Sequence, residues 1–364
     1  MKIGILTFHR AHNYGALLQA YALKCFLMGI GHEVDFIDYW PKYHHIAYNL
    51  FSVSALKKRS TLGKVKYILY FLIKFRRLYL RRRSFLNFIH KTLILPRTSY
   101  NNEIFNNKQY DVVVYGSDQI WRNLNLSGFH GFDKMYFADK QSIADKHISY
   151  AASMGEICKN EEEIRFLKKS LLNFNAISVR ENNLKDLIIN LGFQVELVLD
   201  PVFILNRLHW KKLINRNLQL PRKPYVLFYH LIYSKEAIKY VNKIALEMNL
   251  DIVEIPGEIY PFAFGKRYAQ TISPQDFITY INYASYVVST SFHGVAFSLI
   301  FKKQFTAIGM GSNSERTISL LTLLDIRDRY FCNEYNYKKI DYKKVTPTLD
   351  KYIKDSTSYL MRNL

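Results

Sequence analysis

The sequence predicts an α/β protein with two domains, each built around a parallel sheet. At 364 residues the chain is longer than one hydrophobic core usually supports, so two domains are expected. Short apolar runs rich in β-forming residues alternate with helical patterns, and these runs repeatedly end in a polar cluster. That alternation is typical of parallel strands joined by helices, so each domain is expected to be Rossmann-like.

The first domain opens with a strand, a helix and a second strand. The pattern predicts strand Ile3–Phe8, helix Ala16–Leu27 and strand Glu33–Tyr39. Asn13 and Gly15, just before the helix, are candidates to present backbone N–H groups to an anion or a sugar hydroxyl, with helix capping as the alternative. The unit lacks G-x-G-x-x-G, so the dinucleotide-binding fingerprint is absent.

Four later apolar runs of the first domain each lead into a polar or charged cluster. The carboxyl ends of parallel strands lie along one edge of a sheet, so these clusters are expected to line one crevice. The predicted strands and the clusters that follow them are Tyr110–Tyr115 with Gly116–Gln119, His147–Ala152 with Ser153–Gly155, Ala176–Val179 with Arg180–Asn183, and Leu197–Leu199 with Asp200–Pro201.

The second domain is expected to span residues 206–345, after a first domain of residues 1–205. Its central feature is a strand from Tyr286 to Val288, a polar turn, and an apolar helix, with His293 and Gly294 at the junction. A strand-to-helix turn is a common position for an active site, because helix N-terminal N–H groups converge there. Residues 346–364 are predicted to form a tail that packs back on the first domain.

Positive charge is concentrated in an insertion at about residues 42–100. The formal net charge is +21, and no Asp or Glu occurs between Asp38 and Glu103. Residues 57–83 combine many Lys and Arg with an apolar, aromatic centre at Tyr67–Ile73, which suits a helix that lies on an anionic membrane surface. A core helix with a solvated basic face explains the same pattern. A nucleic-acid partner is not expected, because no nucleic-acid-binding motif is present.

Cysteine usage predicts no disulfide and no structural metal. Cys25, Cys158 and Cys332 lie far apart, with no C-x-x-C pair and no histidine cluster at metal-ligand spacing. A reduced, cytoplasmic compartment is therefore expected, and no cofactor is predicted. Met1–Phe8 suits a first strand better than a signal peptide. No run approaches the roughly 18 apolar residues that a membrane span requires.

The polar clusters, taken together, resemble those of the polysaccharide pyruvyl transferase family over roughly residues 1–330. The resemblance implies a two-domain fold similar to GT-B glycosyltransferases, with the site in the interdomain cleft. It also implies transfer of a pyruvyl group from phosphoenolpyruvate to a sugar of a surface glycan, usually as a cyclic ketal. Acceptors in the family are often lipid-linked, so the protein is expected to be cytoplasmic or peripheral at the inner face of the cell membrane. The matching segments, in order, are Asn13-Tyr-Gly15, Gln19–Tyr21, Gly116–Gln119, Ser149–Ser153, Ser178–Glu181, Asp200–Pro201, Ser291–Gly294 and Asn313-Ser-x-Arg316.

The chemistry of that reaction assigns expected roles to the clustered residues, with capping of the turns as the alternative for each of them. His293 is predicted to be the general acid, and Asp118 a second catalytic residue that contacts a sugar hydroxyl. Arg180 and Arg316 are predicted to bind the carboxylate and phosphate of phosphoenolpyruvate, which planar guanidinium groups can hold bidentately. The other predicted substrate-binding residues are Ser291, Gly294, Asn13, Gly15, Ser117, Gln119, Ser153, Asn313 and Ser314.

One position departs from the family pattern. Family members often have arginine where this chain has Ser291, so either Arg180, Arg316 or Lys302 supplies the charge or the donor is not phosphoenolpyruvate. Two other functions remain open from the sequence. One is a glycosyltransferase that uses a sugar nucleotide on the same scaffold, and the other is a non-catalytic assembly protein at the membrane surface.

Overall fold

Two parallel sheets form the centres of two domains, as the sequence analysis predicts. The computed structural model describes residues 1–96, 109–126, 128–158, 160–309, 314–331 and 339–364. Asn313 and Cys332, both discussed above, therefore lie outside the described residues. The elements of the first domain, in chain order, are β1 (Lys2–Leu6), α1 (Tyr14–Gly29), β2 (Glu33–Phe36), α2 (Lys42–Ala47), α3 (Val53–Lys57), α4 (Thr61–Lys91), β3 (Tyr110–Tyr115), β4 (Leu124–Leu126), β5 (Phe129–Gly131), β6 (Ala144–Ser149), α5 (Glu161–Leu171), β7 (Ser178–Val179), α6 (Asn182–Asn190) and β8 (Glu196–Leu197).

The first sheet has the strand order β2-β1-β3-β6, and all its pairs are parallel. A parallel pair, β7 and β8, continues it through isolated bridges from Ile148 to Ala176 and from Ala152 to Val179. Four consecutive residues of β1 and of β3 are buried, as expected for parallel strands covered by helices on both faces. The polar clusters therefore share one edge of the sheet.

The second domain repeats this arrangement with four parallel strands in the order β10-β9-β11-β12. Every residue of β9 and β11 is buried. The remaining elements of the chain are α7 (Arg207–Lys211), β9 (Tyr225–His230), α8 (Lys235–Glu247), β10 (Asp251–Pro256), α9 (Pro274–Tyr283), β11 (Tyr286–Ser289), α10 (Phe292–Ile300), β12 (Gln304–Ala307), α11 (Glu315–Leu323) and α12 (Tyr342–Asn363).

Two helices at the site begin earlier than the sequence pattern indicates. Helix α1 begins at Tyr14, so Gly15 lies within its first turn, and the Asn13 side chain caps it by accepting a hydrogen bond from the Ala16 amide at 3.2 Å. Helix α10 begins at Phe292, so His293 belongs to its first turn. The apolar pattern missed both starts because Gly15 in one first turn, and His293 with Gly294 in the other, interrupt it.

Apolar contacts join the two domains. The ring of Tyr14, in α1, stacks on the ring of Phe277, in α9, with centroids 4.9 Å apart and planes 4° apart. Tyr14 also meets Tyr229, on β9, edge to face at 6.0 Å. These rings belong to one buried cluster with residues from both sheets, so burial of apolar area stabilises the domain interface as well as each domain.

The C-terminal helix α12 begins at Tyr342 and lies against the first domain. Its Tyr359 hydroxyl donates to the Ser149 carbonyl at 2.9 Å, and the Leu199 amide donates to Ser356 Oγ at the same distance. Leu360 is fully buried. Helix α12 thus supports the strand ends that precede Asp200.

Helix α4, in the basic insertion, has two different parts. Its C-terminal end is a core helix, with Phe85, Phe88 and Ile89 buried. Most of the preceding turns are exposed, and Arg77 and Arg81 bind backbone carbonyls of the second domain. Within the described residues, no helix is long and apolar enough to cross a membrane.

Candidate active site

A cavity of about 230 Å³ lies between the two domains, at the carboxyl ends of both sheets. Each domain supplies polar groups to it, as expected for a site at the strand ends of α/β domains. The lining residues are Asn13, Asp118, Gln119 and Arg122 from the first domain, and Leu231, Thr290, Ser291, Phe292, His293 and Arg316 from the second.

The Asp200 carboxylate is the buried centre of the charged network behind this cavity. Its Oδ1 accepts from the Val202 amide at 3.1 Å, while Oδ2 accepts from Ser117 Oγ at 3.3 Å and from Arg180 Nη1. Burial alone would raise the pKa of Asp200, but the charges of Arg180 and His293 hold it well below its usual range. Asp200 is therefore a permanent negative charge at neutral pH.

His293 connects this buried charge to the cavity. Its Nε2 lies 3.5 Å from Asp200 Oδ2, and the side chain is almost completely buried. A carboxylate beside one imidazole nitrogen fixes the orientation of the ring. Because His293 also lines the cavity, the pair connects the buried carboxylate to the cavity wall.

Gly15 makes the position of His293 possible. A Cβ atom at residue 15 would lie 2.0 Å from His293 Nδ1. This is much shorter than any contact between a carbon and a nitrogen atom that are not bonded to each other. Gly15 thus lets the first turn of α1 approach the imidazole directly. The structure gives this residue a packing role and does not place it in the cavity lining.

A turn after β3 holds Asp118 at the cavity. Gln19 Oε1 accepts from the Ser117 amide at 3.1 Å, so a buried side chain of α1 fixes this turn. Asp118 has a φ of +79°, an uncommon conformation for a residue with a side chain. Its Oδ1 accepts from the Gln119 amide at 2.9 Å and lies 3.8 Å from Arg180 Nη2.

Two arginines from opposite domains supply positive charge to the cavity. Arg122 comes from the first domain and Arg316 from helix α11 of the second. Among the residues that the structure describes, Arg316 Nε is buried without a hydrogen-bond partner. Burial and the nearby charge of Arg180 lower the pKa of Arg316 to about 10, so it remains protonated at neutral pH. A buried guanidinium nitrogen without a partner is well suited to an anion.

The N-terminus of α10 adds partial positive charge at the same place. Ser291 occupies the N-cap position, but its side chain makes no capping hydrogen bond. The Ser291 amide instead donates to Ser289 Oγ at 3.0 Å. Since the first N–H groups of a helix lack intrahelical acceptors, an anion in the cavity would interact favourably with this helix end.

Six of the sequence-predicted site residues line this cavity and six others do not. Arg180 was predicted to bind substrate but does not line the cavity. It is buried, paired with Asp200 and stacked over the Phe292 ring at 4.9 Å. Arg180 follows a strand whose end lies beside the Asp200 carboxylate. The spacing of these two residues in the sequence did not show that they are neighbours. The others that do not line the cavity are Gly15, Ser117, Ser153, Gly294 and Ser314.

These other residues are buried and lie next to the turns that carry the lining side chains. Ser153 Oγ donates to Glu181 Oε1 at 2.9 Å, which joins two strand ends of the first sheet. A Cβ at Gly294 would lie 2.1 Å from Ser289 Oγ, so glycine lets α10 pack against the end of β11. Ser314 lies buried just before α11.

Sequence reasoning missed Arg122, Thr290, Phe292 and Leu231 as lining residues. Arg122 follows Ile120 and Trp121, which are both buried and anchor the segment after the Gly116–Gln119 cluster. The sequence signal that could have identified Arg122 is a charged residue directly after an aromatic residue that is expected to be buried. Within the described residues, no group of three or more His, Cys, Asp or Glu could hold a metal ion.

The fold and the cavity define a two-domain α/β protein with a polar interdomain site. The chain belongs to the polysaccharide pyruvyl transferase family, because the family model matches residues 13–312. This match confirms the resemblance described from the polar clusters. The protein is therefore a member of a transferase family that acts in polysaccharide biosynthesis.

Solved structures with similar folds share little sequence with this chain. The E. coli heptosyltransferase WaaC with ADP is 12% identical, with 98% of this chain and 100% of that chain covered and a TM-score of 0.41. A putative UDP-N-acetylglucosamine 2-epimerase from Listeria monocytogenes is 9% identical, with 98% and 88% covered and a TM-score of 0.48. No curated protein matches the chain in sequence.

The contact of Gly15 with His293 predicts opposite effects for two glycine substitutions in one helix. Gly15→Ala is expected to lower the free energy of unfolding by about 1–3 kcal/mol, because the added methyl group overpacks the imidazole. Gly29→Ala, at the other end of α1, meets no atom within 4 Å and is expected to be neutral or stabilising by up to about 1 kcal/mol. Urea unfolding measures both, and equal effects would contradict the packing role.

The low pKa of Asp200 predicts a pH-dependent contribution to stability. Its folded-state pKa lies below the unfolded value of about 3.9, so the carboxylate stabilises the fold above that pH and loses this effect as the pH falls. Asp200→Asn is expected to destabilise by about 3–5 kcal/mol at neutral pH, because Arg180 loses its partner. The difference from wild type should shrink below about pH 4.

Urea unfolding of wild type, Asp200→Asn and Asp350→Asn across pH provides the check. Asp350 is exposed, on α12, so its substitution serves as the matched control with little effect at any pH. A pH-independent difference between wild type and Asp200→Asn would show that the carboxylate charge is not what stabilises this network.

Proposed function

We propose that this protein transfers the pyruvyl group of phosphoenolpyruvate to two hydroxyls of a saccharide, forming a cyclic ketal and releasing phosphate. The observation that carries the proposal is the convergence of Arg122, Arg316 and the His293–Asp200 pair at one cavity. These groups suit a small substrate that carries two anionic groups and needs a proton during the reaction.

The donor would lie between Arg122 and Arg316, near the N-terminus of α10. One arginine would bind the carboxylate and the other the phosphate, with the N-terminal N–H groups of α10 sharing the negative charge. Arg316 would thus supply the charge that Ser291 lacks. Lys302 is less suitable for this role, because it is exposed and follows the C-terminal end of α10.

The size of the cavity favours a small donor. Sites for drug-sized ligands usually enclose about 300–1,000 Å³, whereas this cavity encloses about 230 Å³. A sugar nucleotide would need a larger site, including space for a base. The volume therefore favours phosphoenolpyruvate over the nucleotide-sugar donor that the sequence left open.

His293 would act as the general acid. Proton transfer from His293 to the methylene carbon of phosphoenolpyruvate makes the adjacent carbon electrophilic, and a sugar hydroxyl oxygen bonds to that carbon. Asp200, ionised and 3.5 Å from His293 Nε2, would hold the imidazole ring in its orientation. Asp200 is therefore a positioning residue, because Asp200 itself is absent from the cavity lining.

Asp118 would act on the acceptor. Its carboxylate lines the cavity from the first domain and can accept a proton from an attacking hydroxyl. The second hydroxyl then bonds to the same carbon as the bond to the phosphate oxygen breaks. The two acceptor hydroxyls release two protons in total. One replaces the proton that His293 gave to the methylene carbon, and the other leaves on the phosphate.

Donor binding is tested by the thermal stability of the protein with phosphoenolpyruvate, inorganic phosphate or sugar nucleotides. Phosphoenolpyruvate is expected to raise the melting temperature well beyond the effect of phosphate, because a ligand that binds only the folded state stabilises it. Arg316→Ala and Arg122→Ala should each remove most of that shift, by loss of a charge-assisted contact.

Lys302→Ala is the matched control, since it removes a cation from the far end of α10 and should leave the shift unchanged. A shift with a sugar nucleotide alone would overturn the pyruvyl donor in favour of glycosyl transfer. A shift that survives both arginine substitutions would overturn the location of the donor site.

The role of His293 is tested by turnover in D₂O. Wild type is expected to place one solvent deuteron in the methyl group of the transferred pyruvyl unit, because the proton reaches the methylene carbon from solvent through His293. His293→Ala should lower kcat by roughly 10²–10⁴-fold, with the melting temperature nearly unchanged. Mass spectrometry of the product and phosphate release give the two readouts, and full turnover by His293→Ala would exclude the proposed role.

A further inference from the structure

The exposed part of α4 carries an apolar stripe that nothing in the described structure covers. Leu62, Val65, Leu69 and Leu72 recur at helical spacing, and each side chain is between 51% and 66% exposed. Single exposed apolar residues are common, but a continuous stripe on a helix usually marks an interaction surface. Helix α4 has 31 residues and so extends over roughly 46 Å.

Exposed aromatic residues of the second domain lie beside α4, which the sequence did not indicate. Phe262 and Phe264, in the loop after β10, are 65% and 66% exposed. Tyr70 of α4 meets the Phe262 ring edge to face at 5.9 Å, and the Arg77 guanidinium group lies over the Phe264 ring at 4.4 Å. The exposed apolar residues of α4, together with Phe262 and Phe264 beside that helix, are here called the α4 surface.

Positive charge surrounds this surface without a counter-charge on the same helix. Helix α4 has no Asp or Glu, and Lys64, Lys66, Arg76 and Arg83 are exposed along it. A second copy of the chain would bring like charges together, which disfavours pairing of two α4 helices. An anionic surface with an apolar interior complements both the charge and the stripe.

We propose that the α4 surface binds the headgroup region of an anionic lipid bilayer, with Leu69, Leu72 and Phe262 entering the apolar boundary. Lys64, Lys66, Arg76 and Arg83 then contact lipid phosphates. Arg77 and Arg81 have a different role, because they fix α4 to the second domain.

The fixed position of α4 makes this a preformed surface that spans both domains. Arg77 Nη1 donates to the Tyr260 carbonyl at 2.6 Å and Nη2 to the Pro261 carbonyl at 3.2 Å. Arg81 Nη1 donates to the Pro256 carbonyl at 3.2 Å, and its guanidinium group lies 5.9 Å from the Tyr14 ring centroid. Tyr14 is adjacent to Asn13 in the cavity lining, so α4 passes beside the active-site cleft.

Vesicle flotation with the full chain tests the proposal. Wild type is expected to float with vesicles of phosphatidylcholine and phosphatidylglycerol, to float poorly with phosphatidylcholine alone, and to lose binding as salt rises. Leu69→Glu with Leu72→Glu should weaken binding at least roughly tenfold, because carboxylates at the stripe oppose insertion and repel the lipid. The matched control is Leu172→Glu with Leu208→Glu, two similarly exposed leucines elsewhere.

The charge contribution is tested by two sets of four neutralising substitutions. The first set, on α4, is expected to lower the affinity for anionic vesicles and to reduce the salt dependence of binding. The second set, elsewhere on the protein, is expected to leave affinity and salt dependence nearly unchanged. The first set is Lys64→Gln, Lys66→Gln, Arg76→Gln and Arg83→Gln, and the second is Lys168→Gln, Lys169→Gln, Lys211→Gln and Lys212→Gln, all exposed residues.

Three results would overturn the proposal. The first is no flotation of wild type, and the second is equal loss of binding in the matched control variants. The third is a dimer in analytical ultracentrifugation that Leu69→Glu with Leu72→Glu dissociates, which would assign the surface to a second copy. An unchanged melting temperature shows that each variant is folded, so a loss of binding then reports on the surface itself.

Discussion

The buried Asp200 carboxylate holds together the parts from which the site is made. It lies at a strand end of the first domain, accepts hydrogen bonds from Ser117 and Arg180 of that domain, and lies 3.5 Å from His293 of the second. A carboxylate in this position is costly to desolvate, and only several simultaneous partners offset that cost. The turn after β3, the strand end before α6 and the first turn of α10 are therefore fixed by one charge.

Close packing adds a steric constraint to this electrostatic one. Gly15 lets α1 touch the imidazole of His293, and Gly294 lets α10 approach the end of β11. The stacked rings of Tyr14 and Phe277 bury apolar area between the same two helical regions. Domains joined by such contacts hold the cavity-lining groups in fixed positions, which reduces the reorganisation that ligand binding would require.

The distribution of positive charge separates two functions within one basic chain. Arg316 and Arg122 line the interdomain cavity, and burial of the Arg316 side chain strengthens its interaction with a small anion. The lysines and arginines of α4 are mostly exposed to solvent, where interactions with charged partners are weaker and depend on salt. Arg77 and Arg81 belong to neither group, because backbone carbonyls of the second domain satisfy them. The net charge alone could not distinguish the cations of the cavity, the exposed cations of α4 and the two arginines that bind backbone carbonyls.

The sequence by itself determined the fold class, the family and most of the turns that form the site. Apolar strands ending in polar clusters specify parallel sheets, because strand periodicity and turn chemistry are local properties that a single sequence displays. Asp118, His293 and Arg316 were found in this way and do line the cavity. Tertiary structure alone decided which strand ends face each other. It paired Arg180 with Asp200, brought Arg122 to the cavity and placed Phe262 beside α4. Those contacts join residues far apart in the chain, and their energies depend on burial and distance, which no local pattern of residues specifies.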